Sequence, residues 1–143
     1  MPSYCLFDSM VHVTAVDRTP EKWQSRWDEV RRNRRTLLLF EPLVAEIVYH
    51  LTQRTNRRRA EARILELKQL PAIKMDNLDD DLAYSAAALR LKHEARSISY
   101  VDGFILAIAR RHNAEVLTTD RGLRDAGRSE GVTMNFLPVE ALA

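Results

Sequence analysis

Five short apolar runs set the tightest limit on how this chain folds. They are "SYCLFD" (3–8), "TLLLFE" (36–41), "PAIKM" (71–75), "EVLTT" (115–119) and "VTMNFLP" (132–138). The first is bounded by Pro2 and Asp8. All five read as strands, the first two as buried ones and "PAIKM" as the weakest. The segments between them carry helical patterning. Strands separated by helices pair in parallel, because a parallel neighbour needs a long crossover. The expectation is an α/β fold: a parallel sheet with helices on its faces. The chain has no internal repeat, low-complexity segment or linker, and 143 residues suffice for one sizeable core, so residues 1–143 are read as a single domain.

The helices announce their starts. "SMVHVTAV" follows the first run directly. Thr19 reads as an N-cap with Pro20 as the first helical residue, leading into "EKWQSRWDEVRRN". Pro42 opens "PLVAEIVYHLTQ", and "RRRAEARILELKQL" follows it. Asn77 reads as the cap of a helix that runs to about Ala95. Asp79, Asp80 and Asp81 then lie in its first turn, where the helix dipole favours anions. "SYVDGFILAIARRH" is the next helix, and "DRGLRDAG" is a short one ended by Gly127.

Composition excludes several classes. The chain is 45% apolar and 29% charged, which is ordinary for a globular protein. Cys5 is the only cysteine, so no internal disulfide forms and a reducing compartment fits. "MPSYCLFDSM" has neither a basic leader nor a clean apolar run, and no stretch approaches the roughly 20 apolar residues of a membrane span. A soluble, cytoplasmic protein with no membrane contact is expected. The net charge is +2, but Arg outnumbers Lys 18 to 4, which favours a phosphate-rich partner.

Four acids fall where ligands bind in open α/β sheets, beyond the carboxyl ends of the strands. Asp8 ends the first run, and Asp120 follows the fourth. Asp102 lies in the first turn of the helix feeding that fourth run, and Glu46 lies early in the helix after the second. Each has a plain local explanation. Asp8 and Asp120 suit helix caps, Ser99-x-x-Asp102 suits a capping box, and Glu46 shares a polar helix side with His50 and Gln53. Together they are harder to explain so. Carboxylates that share a site resist joint ionisation unless a cation offsets them. A hard divalent ion, Mg²⁺ or Mn²⁺, takes oxygen ligands and fills its shell with water and substrate phosphate.

These residues carry a resemblance. "YCLFDS", "PLVAEIVYHL" and "SISYVDGFILAIARRHNAEVLTTDRGL" are similar to the motifs of PIN-domain ribonucleases, above all the VapC toxins of type II toxin–antitoxin systems. The similarity runs in order from about Tyr4 to Val139, and its last block is the most specific. It implies a PIN-like three-layer domain with a central four- to five-stranded parallel sheet flanked by helices, a metal site on Asp8, Glu46, Asp102 and Asp120, and Ser9 and Thr119 as polar groups supporting the acids or touching phosphate. It also implies Mg²⁺ or Mn²⁺ as cofactor, a homodimer, and a cognate antitoxin that blocks the site. The implied reaction is hydrolysis of an RNA phosphodiester by water, leaving 5′-phosphate and 3′-hydroxyl ends. One position departs: the family often has Asn or Ser where this chain has Met10.

Other features have two readings. "RRNRR" (Arg31, Arg32, Arg34, Arg35) and "RTNRRR" (54–59, with Arg54, Arg57, Arg58 and Arg59) are candidate RNA-binding patches or solvated helix faces, and Arg110-Arg111 adds a third patch. No aromatic interleaving marks a base-stacking platform. Trp23 and Trp27, four apart, are core packing or the wall of a groove for a partner helix. His12, His50, His93 and His112 lack an HExxH pattern or a Cys pair, so they read as surface groups or supports of the acids. A phosphoryl-accepting receiver domain would need adjacent acids after the first strand and a Lys after the last, and both are missing. No phosphate-binding GxxxxGK[ST] loop occurs. Two alternatives stay open: a catalytically silent PIN-like module that binds RNA or protein, and a housekeeping RNA-processing nuclease without an antitoxin.

Overall fold

The computed structural model describes residues 3–142. Its strands are β1 (Tyr4–Phe7), β2 (Thr36–Leu39), β3 (Ile73–Met75), β4 (Glu115–Thr118) and β5 (Thr133–Phe136). They form a five-stranded sheet, parallel throughout, in the order β3-β2-β1-β4-β5. Pro2, read as the boundary of the first strand, lies outside the described residues. The sheet is flanked by α1 (Ser9–Asp17), α2 (Glu21–Arg31), α3 (Glu41–Arg54), α4 (Arg57–Lys68), α5 (Asp80–Lys92), α6 (Tyr100–His112) and α7 (Arg121–Ser129). Two 3-10 turns, Glu94–Arg96 and Val139–Leu142, complete it. Among the described residues no helix is long and apolar enough to cross a membrane.

The three central strands are covered on both faces, which is why they read as unbroken apolar runs. Cys5, Leu6, Phe7, Leu37, Leu38, Leu39, Val116 and Leu117 are all fully buried. Trp23 and Trp27 are buried as well, and the Trp27 ring meets Phe7 edge-on with centroids 4.8 Å apart. The pair is therefore core and forms no wall for a partner helix. His12 is packed against Phe7 and Trp27 without a hydrogen-bond partner, and burial pushes its pKa down to about 3.

Several local boundaries differ from the sequence reading. Pro20 occupies the N-cap of α2, one place later than expected, and no side chain caps that helix. Asp79, rather than Asn77, caps α5 by accepting from the Leu82 amide. That helix stops at Lys92, and the chain turns through Glu94–Arg96 before Ser97 takes a left-handed conformation, φ 55°. Gly127 does not end α7. The helix continues to Ser129, and Gly131 supplies the positive φ of 76° that lets the chain turn into β5.

Candidate active site

The chain leaves β1 for β2 and β3 on one side, then returns to lay β4 and β5 on the other. The strand order therefore reverses between β1 and β4, the place where open α/β sheets leave a crevice at their carboxyl edge. Phe7 pairs with Leu117, and the next amide, Asp8, donates to the Leu117 carbonyl at 3.0 Å. Asp8 is thus held at the end of the central strand. Its Oδ1 caps α1 by accepting from the Met10 amide at 2.9 Å.

The other carboxylate oxygen of Asp8 accepts from the hydroxyl of Thr118. Thr118 Oγ1 in turn accepts from the Asp120 amide at 3.0 Å. One fully buried hydroxyl therefore ties the first acid to the fourth. Sequence reasoning chose Thr119, which lines the cavity, and missed Thr118. A signal was present: a hydroxyl inside a run buried on both faces needs a polar partner.

Asp120 caps α7 through the Leu123 amide at 2.9 Å. The adjoining Gly122 leaves space for the Arg96 carbonyl, which would lie 2.3 Å from a Cβ there. That contact fixes the turn before α6 against α7. In α6 the expected capping box is formed: Asp102 N donates to Ser99 Oγ, and Ser99 N donates to Asp102 Oδ2 at 3.0 Å. Gly103 brings α6 onto α5, since a Cβ would sit 2.7 Å from the Ala86 carbonyl oxygen. Glu46, half-buried in the second turn of α3, accepts from the Ser9 hydroxyl.

All four acids line one cavity of about 290 Å³, together with Ser9, Met10, Ser97, Ser99, Ile105 and Thr119. Among the described residues no Lys, Arg or His lines it. The electrostatics follow from this. Burial pushes the Asp8 carboxyl up to about 6; the Thr118 and Met10 hydrogen bonds oppose the rise, and Asp120 and Glu46 add to it. Burial likewise pushes Asp102 up to about 6, opposed by the Ser99 amide and aided by Asp8 and Asp120. Glu46 is raised by burial and by Asp102, against the Ser9 hydroxyl and His50. Among the described residues no three Asp, Glu, His or Cys side chains close into a ready-made metal cage. Asp8, Asp102 and Asp120 each spend carboxylate oxygens on protein donors.

Residues 6–129 match the family model of the PIN domain. The chain belongs to the PIN-domain family. No curated protein sequence matches it. Solved structures share the fold of this PIN domain. VapBC2 from Rickettsia felis, bound to a DNA fragment from its promoter, superposes with a TM-score of 0.69 at 15% identity, over 93% of this chain and 98% of that one. VapC20 from Mycobacterium tuberculosis, a sarcin–ricin loop cleaving toxin, gives 0.69 at 15%, over 86% and 95%. FitAcB from Neisseria gonorrhoeae gives 0.64 at 24%, over 94% and 97%.

Most of the basic residues that the sequence singled out in the PIN domain lie outside its acid cavity. Arg31, Arg32, Arg34 and Arg35 lead into the first residue of β2, at the edge of the sheet opposite Asp8 and Asp120. Arg31 pairs with Asp28 at 3.2 Å, and Arg35 is buried against Glu29 at 2.8 Å. Arg57 pairs with Glu61 in the first turn of α4, where Arg58 and Arg59 also lie. None of the seven lines the acid cavity. The neighbouring cations are Arg18, which the sequence did not single out, and Arg54, the first residue of the "RTNRRR" run. Arg18 and Arg54 line a second cavity of about 320 Å³ that shares Met10 with the first. Of the histidines, His93 is buried and bonded to Glu130 at 2.7 Å, and His112 meets Asp76 at 3.1 Å.

Proposed function

We propose that this PIN domain is a divalent-metal-dependent endoribonuclease and the toxin of a toxin–antitoxin pair. The observation that carries this reading is the convergence of Asp8, Glu46, Asp102 and Asp120 on one cavity that no cationic side chain lines. Two of those carboxyls are held near 6, so the cluster lacks the counter-charge that would let it ionise cheaply. The donors are all oxygen: four carboxylates and the hydroxyls of Ser9, Ser99 and Thr119. Such a set fits Mg²⁺ or Mn²⁺, which need few protein ligands because water and substrate phosphate complete the shell.

Asp8, Asp102 and Asp120 would hold the ion, directly or through water. When bound, the ion supplies charge that polarises the phosphodiester and lowers the pKa of water. The remaining roles belong to side chains. Thr118 and the Met10 amide keep Asp8 at one orientation. Glu46, half-buried and raised, serves as a further ligand or takes a proton from the attacking water. Ser9 orients Glu46, and Ser99 and Thr119 offer hydroxyls to phosphate oxygens. The arginine runs Arg31–Arg35 and Arg57–Arg59 would touch only RNA that extends beyond the cleft.

The family resemblance and the fold shared with VapC20 support the toxin assignment, and the resemblance carries the cognate antitoxin that covers the cleft. A homodimer in the cytoplasm belongs to the same proposal. The test is incubation of total RNA with the protein and Mg²⁺ or Mn²⁺, beside Asp8→Asn and Asp102→Asn. Cleavage by wild type alone, leaving 5′-phosphate ends, is expected. Equal cutting by both variants, or 2′,3′-cyclic phosphate ends, overturns the reading.

A further inference from the structure

Beyond the acid cavity the surface stays concave in one direction. A hollow of about 400 Å³, lined by Arg90, Glu94, Ile98 and by Ser97 and Ser99, shares its two serines with the acid cavity. It opens onto another of about 260 Å³, which shares Arg90 and Glu94 and ends against Tyr100 and Leu91. The Arg90 guanidinium lies over the Tyr100 ring, 4.0 Å from its centroid, and Tyr100 remains 57% exposed. Among the described residues Arg90 has no acidic partner. We propose that this Tyr100–Arg90 platform is a subsite for one unstacked RNA base beside the cleaved phosphate, a proposal that takes its ligand class from the nuclease reading.

Three properties favour a base over another phosphate. Unpaired bases are bound by stacking on aromatic rings and on guanidinium planes, and here the two surfaces are already stacked on each other. Glu94 borders both hollows; a carboxylate there accepts base N–H groups and repels phosphate. The platform is also close to the reaction. Tyr100 is the first residue of α6, and Asp102 is two places further on.

The wall between the acid cavity and the platform is rigidly held. His93 is buried, with Nε2 bonded to Glu130 at 2.7 Å and Nδ1 to Arg96 at 2.6 Å. Lys92 and Arg110 also pair with Glu130, at 2.8 and 2.9 Å. This network, with the Arg96 carbonyl seated against Gly122, pins the turn that carries Ser97 and Ser99. A nucleotide can therefore place its phosphate among the acids and its base across the serine ridge without moving the backbone.

The test is fluorescence anisotropy with a labelled single-stranded RNA octamer in EDTA, so that nothing is cut. Wild type, Tyr100→Ala, Tyr100→Phe and Arg90→Ala are compared, and the same octamer made abasic serves as control. Tyr100→Ala should bind roughly tenfold more weakly or worse, Arg90→Ala should also weaken binding, and Tyr100→Phe should bind like wild type. The abasic strand should bind wild type and Tyr100→Ala equally. The subsite is overturned if Tyr100→Ala binds the octamer as wild type does, or if the abasic strand shows the same loss. It is equally overturned if Tyr100→Ala changes the mass by light scattering, since the platform would then be covered by a second copy. Base-dependent binding without Mn²⁺-dependent cutting would sink the nuclease reading and leave the subsite standing; cutting that Tyr100→Ala does not slow would do the reverse.

Discussion

The hydroxyl of Thr118 donates to Asp8 across 110 residues of chain, and the same oxygen receives the amide of Asp120. Two acids at the carboxyl edge are thereby spaced by one side chain that touches no solvent. Thr118→Val keeps the shape and removes both bonds. An unsatisfied buried acceptor and donor cost about 1–3 kcal/mol. A fall in Tm of roughly 5 °C is expected by thermal denaturation. Loss of the bond should also move the Asp8 carboxyl further up, which a carboxyl-detected NMR titration reads directly.

Asp8 gives the acid cluster a definite pH signature. Its folded pKa of about 6 exceeds the ordinary 3.8, so between those values the folded state holds a proton the unfolded state has lost. Its contribution to stability is therefore favourable at low pH and fades as pH rises through 6. Asp8→Asn should melt higher than metal-free wild type at pH 7, by an amount that shrinks towards pH 5. The ceiling is on the order of 3 kcal/mol. Mg²⁺ or Mn²⁺ should raise the wild-type Tm more at pH 7 than at pH 5, because ligand carboxylates must be deprotonated. A metal effect that is equal at both values, or absent, would count against the four-acid site.

Asp102 has two jobs that substitution separates. Asp102→Asn keeps an oxygen for the Ser99 amide, so the capping box and most of the stability should survive. Asp102→Ala should lose about 1 kcal/mol as the box opens. Cleavage should vanish in both. Urea denaturation and an RNA cleavage assay on the same preparations would show the split.

Arg18 and Arg54 border the cavity next to the acids and make no ion pair among the described residues. If the RNA backbone leaves the acid cavity past Met10, both contact phosphate. Arg18→Ala and Arg54→Ala should each weaken RNA binding across all sequences. The slope of log K against log salt should fall by roughly 0.7 for each single-strand phosphate that is no longer neutralised. Arg34→Ala, at the opposite edge of the sheet, should leave that slope unchanged.

The sheet was legible because strands covered on both faces must be apolar throughout, which makes "TLLLFE" and "EVLTT" stand out against amphipathic helices. The four acids were legible because strand ends and helix starts are visible in the sequence. Thr118 was not. Which of two adjacent threonines faces β1 depends on the pairing of Phe7 with Leu117, a tertiary fact. Tyr100 and Arg90 escaped for the same reason: they lie on two helices whose packing, close at Gly103, is a tertiary fact. Charge was visible in the Arg31–Arg35 run, but its position was not. Arg35 turns inward to Glu29, and the run sits before β2, away from the acids. Asn77 lost its capping role to Asp79 because both residue types cap well and only the backbone decides where the first turn starts.

β1 is made first and sits in the middle of the sheet, hydrogen-bonded on one side to β2 and on the other to β4. Its partner on the second side is synthesised more than a hundred residues later. Until β4 has left the ribosome, Asp8 has neither Thr118 to hold it nor Asp120 beside it, and α7 has no strand to start from. Translation itself thus delays the assembly of the acid cluster until more than a hundred residues after β1 have been made. A truncated product that stops short of Thr118 carries three of the four acids and lacks the hydroxyl that ties Asp8 to the fourth.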